Sequence, residues 1–276
     1  MKLASRFSLI SLSLLAGLLQ ADSLPLTPGS ILLGHPGFPT GTVSEVTTTG
    51  SPIATLALPV LGDIPESLTV LNGQLFVGDG SGEVSRINPV TGSVLASFQT
   101  PNIALTSLGD YNGNLIALPS ISVVGPTPKT VYVYSTAGSL LQSITLQTSP
   151  SNVAWNGLTS DGTNLYLADY TSGNIFEYST AGALLASIQT NIGAGLTGVS
   201  YDASNNSLWV SNGITHMAYD LSTSGSLLSD FATGSNFEGI AVVPGIATPE
   251  PNSFALIGLT LSTALAGMLR RQYKPE

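Results

Sequence analysis

Residues 155–190 read WNGLTSDGTNLYLADYTSGNIFEYSTAGALLASIQT. The segment divides into NGLTSD, a GTN turn, LYLADY, a TSG turn, NIFEYS, a TAG turn and ALLASIQT. Each run carries partial apolar alternation and each break carries a glycine. That is the pattern of short antiparallel strands joined by tight turns. The spacing predicts a four-stranded meander.

The same plan recurs along the chain. Gly182, which opens the last run, has counterparts at Gly50 (GSPIATLAL), Gly92 (GSVLASFQT), Gly138 (GSLLQSITL) and Gly225 (GSLLSDFAT), at intervals of 42, 46, 44 and 43 residues. A period of that length made of four strands predicts a β-propeller blade. Innermost strands are expected at 66–70, 106–110, 156–160 and 197–201, and second strands at 75–79, 115–119, 165–169 and 208–212. These complete four blades. Residues 31–35, 43–46 and the run from Gly50 supply the outer three strands of another, and its missing innermost strand is expected at 237–244. The fold expected is therefore all-β: a single propeller over residues 22–247, closed by pairing a C-terminal strand with N-terminal ones, which removes the open edge of an arc of blades. Five blades are expected; six is the alternative, if residues 24–39 hide further strands.

Only 8% of the 276 residues are charged, against roughly 25% in an average soluble protein. Gly, Ser, Thr and Asn take the surface instead. Between Asp22 and Thr248 the only basic residues are Arg86 and Lys129, against 14 acidic ones, a net charge of −12. A body this acidic repels phosphate backbones, which argues against nucleic acid as a partner. Cysteine is absent, which excludes disulfides and thiolate metal sites.

Residues 1–21 have a basic start at Lys2 and Arg6, an apolar stretch from Phe7 to Leu19, and Ala21 as a small residue before cleavage. This is the pattern of a secretory signal peptide. At the other end, residues 253–269 carry no charge, the short end of what spans a bilayer as a helix. Arg270, Arg271 and Lys274 follow and would hold that end in the cytoplasm. Pro249 and Pro251 keep the upstream stretch extended.

The order Pro249-Glu250-Pro251, apolar helix, Arg270-Arg271 closely resembles the PEP-CTERM sorting signal, over residues 248–276. The resemblance implies export by a Gram-negative-type bacterium that makes extracellular polysaccharide. It implies the secretion machinery and an exosortase, a membrane-embedded cysteine protease or transpeptidase, as partners. Extracellular polysaccharide or surface proteins are the further partners it suggests. The alternative is a plain C-terminal membrane anchor.

In a propeller, the start of each innermost strand and the end of each second strand reach one face of the ring. The first set is Glu66, Thr106, Asn156, Thr197 and Glu238; the second is His35, Asp79, Pro119, Asp169 and Asn212. Converging oxygen donors suit a hard cation such as Ca²⁺. The alternative is that both sets anchor loops by hydrogen-bonding turn amides, as Asx side chains often do. The pattern Gly-Leu-Thr…Asn-Leu-Tyr-Leu-Ala-Asp…Gly-Asn-Ile…Tyr resembles NHL-type and gluconolactonase-type propellers. That resemblance implies a divalent cation held by Glu66, Asn156 and Glu238, with Asp79 or Asp169 as an outer partner or base. Two threonines in the first set and a count of five blades depart from the six-bladed lactonase family, so its activity is not carried over.

No catalytic residues are assigned. His35 and His216 lie far apart in the repeat and suggest no Ser-His-Asp arrangement; His216 is expected in a third strand. Asn205-Asn206-Ser207 matches the glycosylation pattern but falls in a hairpin turn. Trp155 is expected near the mouth, either to stack on a sugar ring or to pack between blades. The expected role is a non-enzymatic, exported binding or structural module, with a metal-dependent lactonase or hydrolase as the rival.

Overall fold

The computed structural model describes residues 23–37, 40–58, 65–100, 105–119, 130–147, 150, 153–234 and 237–245. The signal peptide at 1–21 and the sorting signal at 248–276 lie outside the described residues.

Among the described residues, twenty strands form five four-stranded antiparallel sheets. One sheet runs β4 (Pro65–Leu71), β5 (Gln74–Asp79), β6 (Glu83–Ile87), β7 (Val94–Gln99). The next comprises β8 (Leu105–Tyr111), β9 (Asn114–Pro119), β10 (Thr130–Tyr134) and β11 (Leu140–Thr145). The template stretch becomes β12 (Trp155–Ser160), β13 (Asn164–Asp169), β14 (Ile175–Ser179) and β15 (Leu184–Ile188). It is followed by β16 (Leu196–Asp202), β17 (Ser207–Asn212), β18 (Met217–Ser222) and β19 (Leu227–Ala232). The closing sheet has the order β20 (Gly239–Val242), β1 (Ile31–His35), β2 (Gly41–Val46), β3 (Pro52–Leu58). The last described strand thus pairs with the first, Gly34 opposite Gly239 and Ile31 opposite Val242. The count is five, not six: residues 24–30 form no extra strand but fold back on Glu45, which is fully buried and accepts from Leu26 N, Thr27 N and Ser30 Oγ.

The five innermost strands β4, β8, β12, β16 and β20 touch in that cyclic order, β20 returning to β4. Each seam between blades has its own apolar cluster. Leu32, Val43, Leu68 and Val77 meet between the β20 and β4 blades, and Ile116, Val131, Leu158 and Leu167 between the β8 and β12 blades. A fully buried side chain of this kind contributes about 1.5–3 kcal/mol.

No main-chain ladder joins one blade to the next, so the N–H groups along each innermost strand need other acceptors. Hydroxyls of the preceding blade supply them. Leu158 N donates to Ser107 Oγ at 2.8 Å, Tyr201 N to Thr159 Oγ1 at 3.0 Å and Val242 N to Ser200 Oγ at 2.9 Å. Such contacts need close approach. A Cβ on Gly157 would stand 2.7 Å from Val199 N, and one on Gly239 would stand 2.8 Å from a Leu68 methyl and 3.2 Å from Ser67 Cα.

Each outermost strand carries a β-bulge, and the extra residue is aliphatic and exposed in all five blades: Ile53, Leu95, Leu141, Leu185 and Leu228. Bulges twist an edge strand out of register for pairing with another chain.

Gly157→Ala forces two backbones apart at the ring centre. The expected cost is about 2 kcal/mol, read as a lowered Tm in thermal unfolding; an unchanged Tm would contradict the close approach.

Candidate functional site

The mouth of the ring is built by a second set of bulges. In β4 the pairing jumps from Pro65 to Ser67, in β8 from Leu105 to Ser107, in β12 from Trp155 to Gly157 and in β16 from Leu196 to Gly198. The skipped residues are Glu66, Thr106, Asn156 and Thr197. In the closing blade Glu238 stands just before β20, its N–H donating to Gly34 O at 3.0 Å. All five are partly exposed, between buried neighbours on either side. A bulge re-aims its extra side chain, and here it aims each one away from the blade seams. Together with Tyr170 and Gly213 the five line one cavity of about 360 Å³, within the usual range for small-ligand sites, ~300–1,000 Å³.

Ring order places the charges unevenly. Glu66 on β4 and Glu238 just before β20 belong to adjacent innermost strands, while Thr106, Asn156 and Thr197 occupy the other three. The β12 blade, which carries Asn156 and Tyr170, stands opposite the β20–β4 seam in a ring of five. Tyr170 follows the end of β13. Its N–H donates to Ala154 O and its carbonyl accepts from Gly195 N, and the residue is 38% exposed.

The two sets of residues predicted from sequence are used differently. Thr106 Oγ1 donates to Leu118 O at 3.3 Å and Thr197 Oγ1 to Ser211 Oγ at 3.1 Å. Among the described residues, neither the Asn156 amide nor the Glu238 carboxylate has a protein hydrogen-bond partner. Burial alone holds Glu238 above the ordinary carboxylate range. Asp79 and Asp169 are engaged elsewhere and are not among the residues that line the cavity. Asp79 Oδ1 accepts from Ser81 N, Ser81 Oγ and Glu83 N at 2.8–3.0 Å. Asp169, wholly buried, accepts from Ala154 N, Thr171 N, Ser172 N and Ser172 Oγ. Asn212 does the same for Ile214 N and Thr215 N. Asp79, Asp169 and Asn212 of the second set are thus turn anchors.

Trp155 does not reach the mouth. It is 2% exposed and packs edge-on against Phe176, ring centroids 5.0 Å apart, and Tyr178. Its neighbour Asn156 takes the bulge position, which turns Trp155 into the seam. The mouth aromatic is Tyr170, which sequence reading passed over. Its signal is positional: of the residues that follow the second set (Pro36, Gly80, Ser120, Tyr170 and Gly213), it alone is aromatic. His216 lies in the turn before β18, at φ 54°, not in a strand.

For a cation, the mouth offers two carboxylates, an amide oxygen and two hydroxyls, an all-oxygen set that suits a hard ion. Among the described residues no group of three or more His, Cys, Asp or Glu side chains has metal-holding spacing, so Ca²⁺ here would depend on the neutral oxygens and water.

These observations define the class of the protein: a five-bladed, all-β propeller with a polar cavity at one mouth of its channel. No family model matches the chain, and no curated protein sequence does. Solved structures do. One is a nidogen/laminin complex: TM-score 0.51, 13% identity, 78% of this chain and 98% of that one. Another is a protein of unknown function from Bacteroides caccae: TM-score 0.51, 14% identity, 76% and 77% of the two chains. A glutaminyl cyclase from Myxococcus xanthus matches at TM-score 0.47 and 13% identity, over 63% and 68%. At such identities the likeness speaks to fold alone.

The two sets predict opposite mutational behaviour. Asp169→Ala strips the acceptor from three N–H groups and a hydroxyl, and is expected to cost about 3 kcal/mol, read as a lowered midpoint in denaturant unfolding. Glu238→Gln behaves otherwise. A carboxyl whose folded pKa is raised adds most to stability when protonated, below its unfolded value, and loses that contribution as pH rises through the folded value. The glutamine variant is therefore expected to match or exceed the parent's stability at pH 7, with the gap narrowing toward pH 4.

Proposed function

We propose that this protein is an exported β-propeller that works at the cell surface or in the extracellular matrix as a binding module, with the mouth cavity as its ligand seat. The observation that carries the reading is the idle state of Asn156 and the Glu238 carboxylate beside an exposed Tyr170. A half-desolvated carboxylate without a protein partner is a cost to the fold, and a bound ligand relieves it.

The address comes from the chain ends. The basic and apolar pattern of residues 1–21 supports export. Pro249-Glu250-Pro251, the uncharged run and Arg270-Arg271 support sorting by an exosortase-type system. The scarcity of charge suits a surface that contacts polysaccharide or other surface proteins.

A metal-dependent lactonase or hydrolase is the second reading, favoured by the placing of Glu66, Asn156 and Glu238 around one cavity. Hydrolysis also needs a base within reach of the attacked bond. Asp79 and Asp169 hold turn amides instead, which favours binding over turnover.

Two measurements test this. Intact mass of the mature protein from its host is expected to show loss of the N-terminal segment and of the apolar tail beyond Pro249-Glu250-Pro251; a mature chain that keeps residues 253–269 overturns the sorting reading. Hydrolysis of simple lactones in the presence of Ca²⁺ or Zn²⁺, abolished in Glu66→Gln and Glu238→Gln, would instead establish the enzyme.

A further inference from the structure

We infer that the ligand at the mouth is a cationic amino sugar, its ammonium held between Glu66 and Glu238 and its ring laid on Tyr170. The inference rests on the reading of this cavity as a ligand seat and adds the chemistry of what fills it.

Charge decides the sign of the ligand. Among the described residues that line the cavity, the carboxylates are Glu66 and Glu238, and Lys, Arg and His are absent. The propeller around them carries a net charge of −12, and a concave site with one sign of charge concentrates the opposite ion. An anionic sugar is repelled. A neutral hydroxyl satisfies a lone pair of Glu238 but leaves its charge uncompensated. An ammonium compensates it and donates as many as three hydrogen bonds, enough to reach both carboxylates.

The opposite wall decides the rest of the ligand. Facing the acidic seam across the ring are Asn156, which offers both donor and acceptor, and the Tyr170 ring, flanked by the hydroxyl oxygens of Thr106 and Thr197, which remain as acceptors. That combination suits a pyranose: alternating hydroxyls along the edge and an apolar C–H face for an aromatic platform. A bare metal ion has no use for Tyr170. A simple alkylamine has no use for Asn156 and the threonines. An amino sugar engages both walls, and the cavity of about 360 Å³ has room for one unit at the end of a chain that continues into solvent past exposed Tyr170.

Calorimetry with the mature secreted protein tests the inference. The probes are a β-1,4-linked glucosamine tetramer, its fully N-acetylated counterpart, ethanolamine and CaCl₂. The glucosamine tetramer is expected to bind, with N-acetylation weakening it at least tenfold and ethanolamine binding at least tenfold more weakly. Glu66→Gln with Glu238→Gln should weaken the tetramer tenfold or more in a protein that melts as the parent does. Asp230→Asn, a charge removed from the exposed outer strand β19, should leave affinity unchanged, which separates the site from general attraction of a cation to an acidic protein. Tyr170→Ala should weaken the tetramer and leave ethanolamine unaffected. Absence of tetramer binding overturns the inference, as does equal affinity for the acetylated form or equal loss in Asp230→Asn. Binding of the acetylated tetramer that depends on Tyr170 and Asn156 but not on the glutamates would sink the amino-sugar identity while leaving the ligand seat standing. Ca²⁺ binding that depends on both glutamates and is not displaced by the tetramer would overturn it in favour of the metal.

Discussion

The constraint on which this structure depends is the close approach of five innermost strands that share no ladder. In an ordinary sheet each strand edge is satisfied by its neighbour's main chain. Here the channel-lining edges face another blade at an angle, and their amides must be met one at a time. Ser107, Thr159 and Ser200 meet those of Leu158, Tyr201 and Val242. A hydroxyl on a short stem reaches an amide in the next blade only if the backbones nearly touch, which explains glycine at 157, 198 and 239 and serine at 67 and 107 in the equivalent position. The Ser, Thr and Gly content that marks the composition is thus in part a packing requirement at the axis, in addition to a polar surface.

The same constraint makes the mouth available for binding. If every residue at the start of an innermost strand kept the ladder's alternation, its side chain would point into a seam or against the neighbouring strand. The bulge at that position inserts one residue that belongs to neither. Glu66, Thr106, Asn156 and Thr197 are those residues. Their identities vary from blade to blade, while the residue after them stays small, serine or glycine. Chemical variety at one position and steric uniformity at the next is what a repeat needs to carry a site without losing its fold.

The repeat also explains what was legible beforehand. Blade number, strand order and ring closure follow from turn glycines at a near-constant period, because each blade solves the same steric problem with the same residues. Membership of the first ring was legible for the same reason. The roles of Asp79 and Asp169 were not, since an aspartate at the end of a strand is equally suited to capping a turn or binding a cation, and only the positions of the amides at 81, 83, 154, 171 and 172 distinguish the two. The sequence leaves the place of Trp155 open between mouth and seam for a related reason. A bulge of one residue reverses which neighbour faces the seam, and nothing in the residue types around Trp155 announces where the skipped residue falls.

Closure of the ring and completion of the site are one event. Glu66 stands on β4 and Glu238 just before β20, residues separated by almost the whole propeller in sequence and adjacent only because β20 pairs with β1. Until that strand docks, the acidic pair does not exist: Glu238 is an isolated, solvated carboxylate with no reason to be desolvated. Docking desolvates it on the chain segment next to the strand of Glu66, and the apolar cluster of Leu32, Leu68, Ala241 and Val243 at that seam supplies the opposing stabilisation. A cation bound at the mouth compensates the desolvated charge of Glu238 and so favours the closed ring over one with β20 released. Ligand binding and closure are therefore linked through the β20–β4 seam, one of the two at which the closing blade meets its neighbours.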